Sequence, residues 1–203
     1  MKTRCILVFY LCDEKSEEDA TLKVKDKYII HADSLALLPY FNEDGDLFTI
    51  VIERNRHFQI RKSPKRIILD NCHFHGYTLK EKLAAAREVL LQQHTPVCIS
   101  AYFKLCFFPS KSIEAEDCYW FSQRGVKQIT PHERGCVIVL VNGKKILIEK
   151  SPKQLAQQFK NATDLLYSFG AWQDKLGIRP YIAEDHSSYE DTNDNSKEDD
   201  SEW

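Results

Sequence analysis

The dipeptide Asn142-Gly143 constrains the fold most strongly, because it stands between two apolar runs. These runs cover residues 137–141 (VIVLV) and 144–149 (KKILIE). Asn-Gly supplies the two positive-φ residues that a type I′ turn requires, and this turn joins neighbouring antiparallel strands. The sequence therefore predicts a β-hairpin here and a fold that contains antiparallel sheet.

Other parts of the chain also have strand-like patterns. Residues 47–53 (LFTIVIE) and 57–62 (HFQIRK) predict a second hairpin around the basic turn Arg54-Asn55-Arg56. A mostly apolar segment at 34–38 stops at Pro39, and Asp44-Gly45 predicts a turn. Shorter strand candidates cover residues 5–11, 27–30, 66–70, 97–103, 105–108, 118–122 and 126–129.

Two main helices are predicted from caps and apolar spacing. Thr78 and Glu81 form a capping box, and the helix behind them carries an apolar stripe that ends near residues 94–96. The second helix begins at Ser151 with Pro152 in its first position, and Gln154 completes the capping pattern. Its apolar stripe closes at Gly170 and comprises Leu155, Phe159, Ala162, Leu166 and Phe169.

These elements predict an α+β fold, with mostly antiparallel strands and hairpins, in one domain over residues 1–182. The whole chain has a net charge of −2, but residues 1–182 hold 27 bases and 21 acids, a net charge of +6. Residues 183–203 hold nine acids and one base, and so little apolar surface that a disordered acidic tail is expected. Two interpretations stay open for this tail: a solubilising extension, or an autoinhibitory segment that competes with phosphates.

Composition argues against several protein classes. The sequence has no run of 18 apolar residues that would span a membrane. The apolar stretch at 5–12 is too short for a signal peptide, and acidic residues follow it directly. Seven cysteines, several within apolar runs, indicate reduced core thiols. We therefore expect a cytoplasmic protein.

The sequence also lacks the common motifs of enzymes and of phosphate-binding loops. The segment Cys72-His73-Phe74-His75 has zinc-ligating residue types, which Cys118, His132 or Cys136 could supplement. Its spacing matches no standard zinc motif, so a buried cysteine with surface histidines is the favoured interpretation. We expect no enzymatic activity, catalytic residue, metal or cofactor, with a metal-dependent enzyme as the remote alternative.

Basic side chains form the candidate binding site. They fall in a cluster between residues 54 and 66, on the first predicted helix and at the tip of the Asn142-Gly143 hairpin. Basic turns and hairpin tips can contact phosphates or enter a minor groove, whereas a lone lysine is usually solvated surface. The candidate DNA-binding residues are Arg54, Arg56, Arg61, Lys62, Lys65, Arg66, Lys80, Lys82, Arg87, Lys144 and Lys145.

The order of several short motifs over residues 27–166 resembles that of the ComK family of competence transcription factors. The segment ILDNCHFHG (68–76) is similar to the family's D-x-C-x-F-F-G signature. Further similar segments are LALLP (35–39), LFTIVIE (47–53), TPV (95–97), CFFPS (106–110) and CYWFS (118–122). In the segment after the signature, Glu81 and Lys82 replace the glycine and arginine that are common in the family, and His73 replaces an arginine.

This resemblance implies a DNA-binding activator of competence (DNA-uptake) genes that contacts A/T-rich promoter boxes mainly through the minor groove. It further implies assembly as a homodimer or a higher oligomer, and control by an adaptor and Clp protease. One alternative is a regulatory protein-interaction module that keeps the fold without productive DNA binding. The changes at Glu81 and Lys82 and the acidic tail motivate this alternative.

Overall fold

The computed structural model describes residues 9–10 and 24–177. The strands are β1 (Phe9–Tyr10), β2 (Val24–Lys25), β3 (Ser34–Phe41), β4 (Leu47–Glu53), β5 (His57–Ile60), β6 (Val97–Ser100), β7 (Leu105–Pro109), β8 (Trp120–Ser122), β9 (Val126–His132), β10 (Gly135–Leu140) and β11 (Lys145–Ile148). The helices are α1 (Pro64–Phe74), α2 (Leu79–Leu90) and α3 (Pro152–Lys175), with a short 3₁₀ turn at Gln123–Gly125.

The strands form two sheets. The large sheet has the strand order β2-β5-β4-β3-β8-β7-β6, and the small sheet has the order β1-β11-β10-β9. Only β2 and β5 pair in parallel, whereas every other described pair is antiparallel. The predicted α+β class with mostly antiparallel strands is therefore confirmed.

Both faces of the large sheet are buried, because alternate side chains of its strands enter two apolar clusters. Leu37 and Val51 point into a cluster that contains Ile67 and Ile68 of α1 and Leu83 of α2. Ala36 and Ile50 point into the other cluster, which contains Ile138 of β10 and Leu155 of α3. Helices α1 and α2 thus cover one face, and the small sheet and α3 cover the other.

One predicted strand is wrong. Residues 66–70 lie within α1, which begins after Ser63 with Pro64 at its first position. The Ser63 hydroxyl accepts a hydrogen bond from the backbone N–H of Arg66, as an N-cap does. A short run such as IIL fits a buried strand or a buried helix equally well, and here the side chains of Ile67, Ile68 and Cys72 meet the core on one helical face.

The strand candidate at 27–30 and the expected stop of the apolar segment 34–38 at Pro39 also need correction. Residues 27–30 have no regular structure, and the short strand in that region is β2. Strand β3 continues through Pro39 to Phe41. Because β8 pairs with β3 only at Ala36 and Leu37, Pro39 lies where β3 has one hydrogen-bonded neighbour, and its missing N–H is tolerated.

Both predicted helices are present, with different ends. The capping box of Thr78 and Glu81 is formed, but α2 stops at Leu90, ahead of the expected end near residue 94. Helix α3 starts as predicted, yet the Ser151 side chain makes no capping bond and the helix continues through Gly170 to Lys175. Its predicted stripe faces the core, where Leu155 and Ala162 are buried.

The Asn142-Gly143 hairpin is confirmed as β10 and β11, but its turn differs from the predicted type I′. Gly143 has a φ of 85°, whereas Asn142 is not among the described residues with positive φ. The Gly143 N–H donates to the Leu140 carbonyl oxygen at 2.9 Å. This arrangement is a turn closed by a left-handed glycine, which also suits antiparallel strands.

The predicted core thiols are confirmed for the five described cysteines, which are buried and free, whereas Cys5 and Cys12 lie outside the described residues. The acidic tail at 183–203 also lies outside them. No described helix is long and apolar enough to cross a membrane.

Candidate functional site

Four connections lie side by side at one end of the strands of the large sheet, because its central strands alternate in direction. Ser34 at the start of β3 pairs with Glu53 at the end of β4, so the β4–β5 turn (54–56) adjoins residues 31–34. Phe107 pairs with Ser122 and Ser100 pairs with Leu105, which brings the end of β8 and the β6–β7 turn (101–104) to the same edge. We call this side of the molecule the turn edge.

The tip of the β10–β11 hairpin is joined to the turn edge by Asn142. Its Nδ2 donates to the carbonyl oxygens of Glu53 at 3.1 Å and Arg54 at 3.3 Å. Next to it, Lys144 Nζ lies 3.1 Å from His57 Nδ1. Two hairpins far apart in sequence therefore form one group, the hairpin-tip cluster of Arg54, Arg56, His57, Asn142 and Lys144.

The buried carboxylate of Glu53 forms hydrogen bonds that hold part of this cluster in place. Glu53 Oε1 accepts hydrogen bonds from Tyr28 OH at 3.0 Å and from His31 Nε2 at 2.9 Å, and its Oε2 accepts one from Arg56 Nε. Burial alone would raise the pKa of Glu53, but the hydrogen bonds from Arg56, His31 and Tyr28 outweigh it and lower that pKa. The ionised carboxylate thus holds the Arg56 guanidinium in place.

A residue of the segment 68–76, Asn71, holds the backbone beside two of the groups that bond to Glu53. Asn71 of α1 is buried, and its Oδ1 accepts a hydrogen bond from the Ile30 N–H at 2.8 Å while its Nδ2 donates to the Tyr28 carbonyl oxygen at 3.0 Å. These bonds hold the segment that brings Tyr28 and His31 to Glu53. Buried polar groups require hydrogen-bond partners, and Asn71 finds them in this segment. It thereby links α1 to the residues that support the hairpin-tip cluster.

The surroundings of Lys144 and His57 lower the pKa values of both side chains. Burial lowers the pKa of Lys144. Burial and the neighbouring Lys144 charge lower the pKa of His57. A phosphate placed beside the pair would oppose these shifts, because a nearby negative charge favours the protonated form of both groups.

The structure divides the basic cluster that the sequence suggested. Arg54 and Arg56 lie at the turn edge, where Arg54 Nε is 3.3 Å from Asp33 Oδ1. Strand β5 then carries the chain to the opposite edge of the sheet, where four of the candidates lie: Arg61, Lys62, Lys65 and Arg66.

Three of these four candidates are ion-paired. Lys62 Nζ lies 2.6 Å from Asp70 Oδ2, and Arg66 Nε lies 2.9 Å from Asp70 Oδ1. Lys65 Nζ lies 2.5 Å from Glu114 Oε2. We call these four residues the far-edge bases, and they are separate from the hairpin-tip cluster.

The remaining candidates lie on α2 and β11. The Lys82 ammonium lies 3.7 Å from the centre of the Tyr77 ring, and burial lowers its pKa. Lys80 and Lys145 are exposed, the latter at the start of β11 beside Lys144. Arg87 is exposed in the last turn of α2.

Sequence reasoning missed several residues of the turn edge. Arg124 is an exposed cation in the 3₁₀ turn after β8, and the β6–β7 turn carries the exposed cation Lys104 and the exposed aromatic residues Tyr102 and Phe103. His75 joins them, since its ring centre is 6.1 Å from that of Phe103. Their common location depends on the strand order, which local sequence patterns do not reveal.

The proposed zinc ligands do not come together. Among the described residues, no group of three or more histidine, cysteine or acidic side chains has a geometry that could hold a metal ion. Cys72 points into the core from α1, where burial raises the pKa of its thiol to about 11, while His73 is exposed. The arrangement favours packing at Cys72 over metal binding.

Comparison with known proteins adds a family match. The family model described as ComK protein matches residues 25–173. The competence transcription factor of Bacillus subtilis (strain 168) is 24% identical over 156 residues, which cover 76% of this chain and 79% of that protein. No solved structure matches the chain.

Proposed function

The chain belongs to the ComK protein family, and from this premise we propose that it is a transcription regulator that binds promoter DNA of competence genes. The relative in Bacillus subtilis is named a competence transcription factor, which supports the regulatory role. The observation that carries the DNA-binding proposal is the hairpin-tip cluster, where cations from two hairpins project from one edge of the sheet.

We further propose that the cluster reads A/T-rich boxes through the minor groove. Narrow A/T-rich minor grooves have an enhanced negative potential, which attracts arginine and lysine side chains. Arg54 and Arg56 are exposed on a tight turn, and the buried Glu53 orients Arg56. A narrow turn with two arginines has the shape and the charge to enter such a groove.

The test is a gel-shift series against A/T-rich and G/C-rich duplexes over a range of salt. We expect Arg54→Gln, Arg56→Gln and Lys144→Gln together to weaken binding to the A/T-rich duplex. The slope of log affinity against log salt should fall by about 1 for each lost phosphate contact. Equal affinity of the wild-type chain for both duplexes at moderate salt would exclude the A/T-specific function.

A matched control is available at the far edge of the same sheet. The triple variant Arg61→Gln, Lys65→Gln and Arg66→Gln removes the same charge but leaves the hairpin-tip cluster intact. We expect it to retain most of the affinity and of the salt slope. If both triple variants activate promoters as the wild type does, the alternative of a protein-interaction module without productive DNA binding is the better account.

The family membership supports two further proposals. We expect cytoplasmic homodimers or higher oligomers on DNA, which light scattering with and without the duplex would detect. Control by an adaptor and Clp protease is proposed on the same basis. Its test is the half-life of the protein in cells with and without the protease, where equal half-lives would argue against it.

A further inference from the structure

The β6–β7 turn is an exposed aromatic projection at the same edge of the sheet as the hairpin-tip cluster. Phe103 is 56% exposed and Tyr102 is 40% exposed, although both follow a buried strand. Single exposed apolar side chains are common, but contiguous apolar patches often mark binding surfaces. The turn edge already carries the candidate DNA-binding cations, so the function of this projection depends on what lies beside it.

The rings of this turn are held in place by one another. The centres of the Tyr102 and Phe103 rings are 4.8 Å apart and their planes are nearly perpendicular, and the centre of the His75 ring lies 6.1 Å from that of Phe103. The Lys104 N–H donates to the Ala101 carbonyl oxygen at 3.0 Å, and Lys104 has a φ of 54°. A closed turn with packed rings loses little conformational entropy on binding.

Charge along the turn edge favours a polyanion over a protein partner. The stretches 31–34, 53–57, 101–104 and 122–126 contain two acids, Asp33 and Glu53, and both are paired with arginine side chains. Arg124 is exposed at the end of β8, between the two turns, and Lys104 is exposed beside Phe103. The aromatic turn therefore continues the basic surface of the hairpin-tip cluster.

The strand order gives the distance between the two turns. Four strand spacings separate the β4–β5 turn from the β6–β7 turn, which corresponds to about 19 Å. Half a helical turn of B-DNA is about 17–18 Å. If the hairpin tips enter a minor groove and the edge follows the DNA axis, the aromatic turn meets the adjacent major groove.

On this basis, which rests on the proposed function, we propose that the β6–β7 turn packs Phe103 and Tyr102 against thymine methyl groups in the major groove of an A/T-rich site. The C5-methyl of thymine is the apolar feature of that groove, and aromatic side chains contact it. Arg124 and Lys104 would contact the intervening phosphates. Thymine would then be read directly, in addition to the shape of the minor groove.

Uracil provides a sharp test, because it lacks only the methyl group in the major groove and leaves the minor groove unchanged. The full chain is titrated with an A/T-rich duplex and with the same duplex in which uracil replaces thymine. We expect the wild type to bind the uracil duplex more weakly, by about fourfold for each methyl group in contact. The variant Phe103→Ala combined with Tyr102→Ala should bind both duplexes equally.

Two controls separate this inference from the proposed function. Phe41→Ala removes an aromatic side chain that is 38% exposed at the opposite edge of the sheet, and it should retain the preference for thymine. The triple variant at Arg54, Arg56 and Lys144 should bind both duplexes more weakly but keep their ratio. A wild-type chain that binds both duplexes equally would overturn the thymine contact alone, whereas absence of DNA binding would overturn the proposed function as well.

Discussion

The hydrogen bonds of Glu53 explain how the hairpin-tip cluster is held together. It is buried at the end of β4, yet it accepts hydrogen bonds from Tyr28, His31 and Arg56. A buried carboxylate is costly unless such partners compensate for lost water. The cost is offset here by donors from three positions, and one of them, Arg56, belongs to the turn that also carries Arg54.

We predict that Glu53→Gln lowers the free energy of unfolding by about 2 kcal/mol at pH 7, since hydrogen bonds to a charged group are lost. The folded-state pKa of Glu53 lies below its ordinary value of 4.5. Such a group adds stability above the unfolded-state pKa and loses it as the pH falls through the folded-state pKa. The difference between wild type and variant should therefore shrink below about pH 4.5.

Urea unfolding at pH 7, 5 and 3.5 would measure this difference. Asp33→Asn is the control, because its ion pair with Arg54 is exposed on both sides and contributes less than about 1 kcal/mol. A destabilisation by Glu53→Gln that stays the same at every pH would contradict the role of the ionised carboxylate.

Asn142 has an equally specific role, because its amide joins two hairpins. We predict that Asn142→Ala lowers the free energy of unfolding by about 2 kcal/mol, from the loss of bonds to Glu53 and Arg54 and of the bond that its Oδ1 accepts from the Lys144 N–H. Chemical denaturation measures the change. Asn55→Ala at the exposed tip of the neighbouring turn should change it by less than about 0.5 kcal/mol. Equal effects of the two substitutions would argue against the link.

At the scale of elements, two helices begin with the same dipeptide and differ in their caps. Ser63-Pro64 opens α1 and Ser151-Pro152 opens α3, but only Ser63 accepts a hydrogen bond from the first turn of its helix. We predict that Ser63→Ala costs about 1 kcal/mol of stability, as removal of an N-cap does. Ser151→Ala should cost less than about 0.5 kcal/mol. Thermal or urea unfolding of both variants measures the difference, and a larger loss for Ser151→Ala would contradict the assignment.

Elements with strong local signals could be predicted from the sequence. These elements are the hairpin at Asn142-Gly143, the hairpin around residues 54–56 and the helices α2 and α3, whose patterns each lie within a short stretch of the chain. Helix α1 was missed because residues 66–70 have an apolar run that fits either element, and only packing of Ile67, Ile68 and Cys72 against the sheet decides between them.

The location of the site residues was predictable only in part, because it depends on the order of the strands in the sheet. Arg54 and Arg66 belong to one basic cluster in sequence, but β5 places them at opposite edges of the sheet. Conversely, Asn142 and Glu53 are 89 residues apart and in direct contact. The strand order creates both relations, and the alternation of apolar residues that predicts a strand does not predict its neighbours.

At the scale of the whole molecule, the two edges of the large sheet differ in electrostatics. The turn edge presents cations from several connections, and its two acids are already paired. At the far edge, Lys62, Lys65 and Arg66 are paired with Asp70 and Glu114. Because Lys104, Arg124 and Lys144 add their charge to the two paired arginines of the turn edge, we expect a polyanion to bind there. Other charges in the chain should modulate this attraction within about a Debye length.

The segment at 183–203 holds nine acids and one base, a net charge of −8. Truncation after Ile182 changes the net charge of the chain from −2 to +6. We predict that the truncated protein associates with DNA about tenfold faster at low salt, because a favourable net charge raises the rate of encounter with a polyanion. The gain should disappear near 0.15 M salt, where the Debye length is about 8 Å.

Stopped-flow mixing with a labelled duplex over a salt series would measure the association rate. A full-length variant with the nine acids of 183–203 changed to asparagine or glutamine is the matched control, since it removes the charge and keeps the length. We expect it to reproduce the faster association of the truncated protein. If the truncated protein is faster and the neutralised variant is not, the segment acts through its bulk. If neither is faster at low salt, its charge does not oppose binding, and a solubilising role is the better explanation.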